Sequence, residues 1–88
     1  MNHLERLRAR FSPDSQTVQL LDWIAAQSAA SVFSHRTLAD VLRVDTRRIG
    51  QILGNMAHVQ NFHNLAALVR IGRGSEGGLR MSYWQTEA

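Results

Sequence analysis

The stretch FSHRTLADVLRVDTRRIGQILGNM, Phe33 to Met56, decides how the rest of the chain is read. Leu38, Ala39, Leu42, Val44, Ile49, Ile52 and Leu53 form an apolar set whose spacing changes phase at Arg43-Val44-Asp45. Such a change separates two helices meeting at an angle, whereas one long helix keeps a single stripe. Ser34 and Asp45 suit the starts of those helices, because a short side-chain oxygen can accept the free amides of a first turn. The expected helices are His35 to Arg43 and roughly 46–58. Left outward on the second are Arg47, Arg48, Gln51 and Asn55, groups able to hydrogen-bond base edges or phosphates. Gly50 and Gly54 sit in the same helix, each costing up to ~1 kcal/mol against alanine. Their four-residue spacing predicts close approach of another backbone, either a neighbouring helix or DNA, with helix packing preferred.

Upstream, Leu4, Leu7 and Phe11 fall at helical spacing with Arg6, Arg8 and Arg10 on the other faces. Residues 1–12 read as an N-terminal helical extension or arm: part of the domain, a dimerisation arm, a basic tail that orders on DNA, or a frayed terminus. Ser12-Pro13-Asp14 is a break followed by a helix start, and Val18, Leu21, Trp23, Ile24 and Ala25 carry an amphipathic stripe over roughly 14–28. Val32-Phe33 is too short for an independent strand but can pair with a later hairpin. Gln60 to Asn64 reads as a polar loop anchored by Phe62, with a helical turn over Asn61 to Ala67 as the alternative. Leu68 to Ile71 and Leu79 to Trp84 are strand-like, and Gly72 to Gly78, with four glycines in seven residues, reads as a long flexible hairpin loop between them. Residues 13–86 then make one domain.

At 88 residues the chain supports one modest core, and 44% apolar with 19% charged residues is ordinary globular composition. The absence of cysteine excludes disulfides, Cys-based zinc sites and thiol catalysis, and makes a reducing cytoplasm the expected compartment. MNHLERLRARF lacks a signal-peptide core, and no segment approaches a membrane span. All ten basic residues are arginine, against seven acidic ones. Coding bias in a GC-rich genome is the preferred explanation of that choice, although arginine also forks onto phosphate and guanine.

The order helix, short strand, helix, turn, helix, glycine-tipped hairpin resembles the winged helix-turn-helix family over roughly residues 14–85. The matching run is Leu38-Ala39-Asp40-Val41-Leu42-Arg43-Val44-Asp45, then Ile49 and Leu53. In place of the family's turn glycine stands Arg43, which has to accept a left-handed backbone or a different turn. The resemblance implies an α+β, mostly α fold with a three-helix core. It also implies a third helix in the major groove, presenting Thr46, Arg47, Arg48, Gln51 and Asn55 to double-stranded DNA. The hairpin becomes the wing, with Arg73 at its tip and Arg70 and Arg80 flanking it, while Ser34, His35, Arg36 and Thr37 are placed to clamp a phosphate. A homodimer is expected, through Leu4, Leu7 and Phe11 or through Trp84, with a transcriptional regulator or accessory factor of bacterial or phage type as the role. The competing class is a winged helix that docks on protein, which Glu76 in the wing would suit.

Bland roles stand beside these. Arg47 and Arg48 can be a solvated face, and the hairpin arginines can protect an exposed sheet edge. His3, His35, His58 and His63 match no ligand motif, so no metal is expected. No nucleophile with a base, paired carboxylates or phosphate-cradling loop is evident, so neither an enzyme nor a cofactor is expected.

Overall fold

The computed structural model describes residues 2–28, 31–76 and 79–86, with the backbone alone for 76, 79–81 and 83. Four helices and three strands follow in the order α1 (His3–Arg8), α2 (Gln16–Ala25), β1 (Val32–Ser34), α3 (His35–Leu42), α4 (Thr46–Phe62), β2 (Leu68–Glu76) and β3 (Leu79–Thr86). The fold is α+β, about half helical, with one antiparallel sheet in the order β1-β3-β2. No helix among the described residues is long and apolar enough to cross a membrane.

Capping sets where the helices begin. Ser15, rather than Ser12 or Asp14, caps α2 by accepting from the Val18 amide. Ser34 accepts from Thr37 and Asp45 from Arg48, as their positions before the apolar runs predict. The turn between α3 and α4 is also as expected: Arg43 has φ 56° and ψ 44°, the left-handed conformation. The Val44 amide reaches the Ala39 carbonyl at 3.0 Å and the Arg43 amide reaches Asp40 at 3.2 Å, the paired bonds of a Schellman motif. Because a side chain strains that conformation and glycine does not, Arg43→Gly should raise stability by about 1 kcal/mol in chemical denaturation. A loss of stability would mean that the arginine side chain contributes more than its backbone costs.

The core is built from Leu7 of α1, Leu20, Leu21 and Ile24 of α2, Phe33 of β1, Leu38 and Ala39 of α3, Ile49, Ile52, Leu53 and Met56 of α4, and Ala67 and Leu68. Leu42, Val44, Trp23 and Trp84 pack half-buried against it. Trp23 meets Phe33 edge-on at 5.3 Å, the arrangement aromatic quadrupoles favour. Leu7 is fully buried, and α1 is further held by the Arg8–Asp22 pair at 2.7 Å and by His3 against the Ala66 carbonyl. The hydrogen bond from Arg8 holds the exposed Asp22 carboxyl below the ordinary carboxylate range.

Two expectations require correction. First, α4 does not stop near residue 58 but continues to Phe62, and Gln60 is a buried helix residue, not part of a loop. Its Oε1 accepts from the Ala67 and Leu68 amides at 2.7 and 2.9 Å, while its Nε2 donates to the Leu68 carbonyl at 3.0 Å. Its own carbonyl accepts from the Leu65 amide at 2.8 Å, across a second left-handed residue, Asn64 with φ 50°. One glutamine thus terminates α4 and seats the start of β2.

Second, Gly72 to Glu76 is no long loop. These residues continue β2, pairing outward until Glu76 faces Leu79 and leaving only positions 77 and 78 between the strands. Glycine weakens a strand without preventing its ladder, since the pairing groups are backbone. Gly77 and Gly78 themselves lie outside the described residues.

Candidate nucleic-acid interface

At 17 residues α4 is about 25 Å long, and its buried stripe fixes which side faces out. With Ile49, Ile52, Leu53, Met56 and Gln60 turned into the protein, Arg47, Gln51, Asn55 and His58 are exposed. Arg47 and Arg48 do not point the same way, because consecutive helical residues differ by about 100°. Arg48 leans toward α2: its Nε donates to Gln16 Oε1 at 3.1 Å and its Nη1 to Gln51 Oε1 at 3.3 Å. Arg47 has no hydrogen-bond or ion-pair partner among the described residues, so its charge is fully available. Thr46 is exposed on the side of α4 that faces the hairpin.

At the start of α3 the residues do different work. Ser34 is 5% exposed, and its hydroxyl is engaged by the Thr37 amide and hydroxyl, both at 3.1 Å. It is occupied as a cap and offers no free donor at the surface. Arg36 and Thr37 are exposed. His35 turns toward the sheet, where its Nδ1 accepts from the Ser82 amide at 3.0 Å. An accepting Nδ1 carries no proton, so the neutral ring that makes this bond keeps its proton on Nε2, free to donate.

The hairpin contains a feature with no sequence signal. Arg70 pairs with Trp84 while Gly72 pairs with Tyr83, which leaves Ile71 as an extra residue in a β-bulge. Beyond it Arg73 faces Ser82. Directly opposed residues share a face of the sheet, as do residues two apart along a strand. Trp84 and Ser82 share a face, so Arg70 and Arg73 do as well, although their odd separation would otherwise divide them. Both are exposed. Arg80 lies opposite Ser75, and its side chain lies outside the described residues.

Between α4 and this sheet face runs a groove of about 960 Å³. Thr46, Gly50, Gly54, Ala57 and Asn61 line the helix side, Arg70, Ser82 and Trp84 the sheet side, and Leu53, Leu65, Leu68 and Val69 add apolar surface. His35 and His3 also border it, and no described lining residue is acidic. The reading of Gly50 and Gly54 as a helix-packing contact is overturned. A Cβ built at either would meet nothing within 4 Å. Their missing side chains widen the groove instead of admitting a neighbouring helix.

Trp84 is neither a fully exposed patch nor a satisfied core residue. It is half-buried on the core, and its indole Nε1 is buried with no hydrogen-bond partner among the described residues. An orphaned buried donor costs about 1–3 kcal/mol. Of the segments expected to join two copies, Leu7 lies wholly within the chain's own core, whereas Leu4 and Phe11 are half-buried against it. The histidines converge on no metal-binding group among the described residues. The chain matches no protein-family model, no curated protein and no solved structure.

Proposed function

We propose that this chain binds double-stranded DNA as a small winged helix-turn-helix protein, with α4 in the major groove and the β2–β3 hairpin as the wing. One observation carries the reading: Arg47, Gln51 and Asn55 are exposed on α4, and across the groove lined by Thr46, Gly50 and Gly54 of that helix the bulge sets the exposed Arg70 and Arg73 on one sheet face, that of Ser82 and Trp84. Arginine, glutamine and asparagine are the side chains that read guanine and adenine edges in pairs of hydrogen bonds. The open backbone at Gly50 and Gly54 lets a duplex approach closely. Thr46 and Arg36 are exposed for phosphate contact, with Arg48 positioned by Gln16 and Gln51. Such a module serves as a transcriptional regulator or accessory factor, working on two half-sites as a dimer. With Leu7 in the core, an α1 interface would have to use the remaining surface of Leu4 and Phe11.

The test is titration of a labelled random duplex at low and fourfold higher salt. If about four phosphates are neutralised, affinity should fall roughly a hundredfold, because each releases condensed counterions. Arg47→Glu with Arg48→Glu should abolish binding while leaving the thermal midpoint in place, as both side chains are exposed. Normal binding by that variant would sink the assignment of α4.

One observation favours a second reading, docking on a protein. Phe62 at the end of α4 is 78% exposed, stacked only edge-on against His63 at 4.9 Å, and the edge residue Ile71 is 50% exposed. No duplex binding even at low salt would favour this reading.

A further inference from the structure

We propose that the groove between α4 and the hairpin is a binding site for a small organic anion, a carboxylate carried on an aromatic or aliphatic body. The argument is one of complementarity. The sheet side offers Arg70, a donor with no ion-pair partner among the described residues, and the Trp84 ring, whose buried indole N–H has no partner among the described residues. The His35 ring adds a second donor, because its bond from the Ser82 amide leaves the proton on Nε2. No described lining residue is a carboxylate, so none of them repels an anion.

The other surfaces are apolar. Leu53, Ala57 and Leu68 line the groove, and Gly50 and Gly54 leave room that any side chain would fill. At about 960 Å³ it is far larger than a bare inorganic anion requires and falls in the range of small-molecule sites. A charged end among the donors and an apolar body along the helix would use both halves. An occupant would touch the two elements that the DNA reading employs, yet the binding itself stands or falls without that reading.

The test uses the full chain, isotope-labelled, with 2-naphthoate as probe and no DNA. Saturable shifts are expected at the amides of Gly50, Gly54, Arg70 and Ser82 and at the Trp84 indole N–H. The uncharged 2-naphthamide should bind roughly tenfold more weakly, because the charge-assisted hydrogen bonds are lost. Gly54→Leu should weaken binding roughly tenfold by narrowing the groove, and a dispersed spectrum verifies its fold. Arg70→Gln, at an exposed strand position, should weaken binding roughly tenfold if Gly54→Leu fails to fold. The proposal is overturned if naphthoate at millimolar concentration gives no saturable shifts, if the amide binds as well, or if the shifts lie elsewhere. It is overturned equally if inorganic phosphate competes as effectively as naphthoate, since the apolar body would then be irrelevant.

Discussion

Leu7→Ala should lower the unfolding free energy by roughly 2–5 kcal/mol, the range for truncating a fully buried leucine. A domain of this length has on the order of 4–13 kcal/mol in total, so the variant would lie near the edge of stability at physiological temperature. The size of the effect follows from how little else holds α1. A six-residue helix is too short to persist alone, because isolated helices need roughly 12–15 residues. The exposed Arg8–Asp22 pair adds little, since water and salt screen it. The leucine also closes one side of the core formed by α2, α3 and α4. Urea denaturation gives the value directly. A loss under about 1 kcal/mol would mean that α1 peels away and leaves a self-sufficient remainder.

Gln60→Ala should cost about 3 kcal/mol, which is large for a single uncharged polar side chain. Three hydrogen bonds disappear together, and the amides of Ala67 and Leu68 and the carbonyl of Leu68 lose their partners. Ala67 and Leu68 are essentially unexposed, so water does not readily replace the glutamine. Some relaxation at the start of β2 keeps the loss below the sum of three separate penalties. Amide hydrogen exchange offers an independent check: protection at residues 67 and 68 should fall first and furthest. If stability drops while that protection persists, the loss arises from packing and not from the clamp.

The residues that make helix boundaries and core were readable because each acts locally. Ser34, Asp45 and the left-handed Arg43 reveal themselves by position relative to the apolar runs, and Leu38, Ala39, Ile49, Ile52 and Leu53 are buried as their spacing predicts. The pairing of Val32-Phe33 with the C-terminal hairpin was legible for the same reason, since a short apolar run needs a sheet to join. Gln60 was hidden because a polar residue between polar neighbours looks like loop; only its partners seven and eight residues onward explain its burial. Gly72 and Gly74 looked like flexibility, whereas pairing with β3 uses the backbone that every residue has. The outward set on α4 could be named from periodicity, but the leaning of Arg48 toward Gln16 depends on how α2 lies beside it. The groove was invisible for a different reason. It lies between a helix and a sheet far apart in sequence, and the open space beside Gly50 and Gly54 has no periodic signature.

The extra residue at Ile71 makes the face of every distal position depend on whether that one residue is paired. In an evenly paired ribbon, losing one exposed residue near the end merely shortens it. Here Ile71 is the residue left out of the pairing, so excising it would leave Arg70 and Arg73 two apart on one face with their present partners, whereas drawing Ile71 into an even ladder opposite Tyr83 would turn every position beyond it over and carry Arg73 to the reverse side. Whether one residue joins the ladder or stands out of it therefore decides which chemical surface the distal hairpin presents, with the helices unchanged.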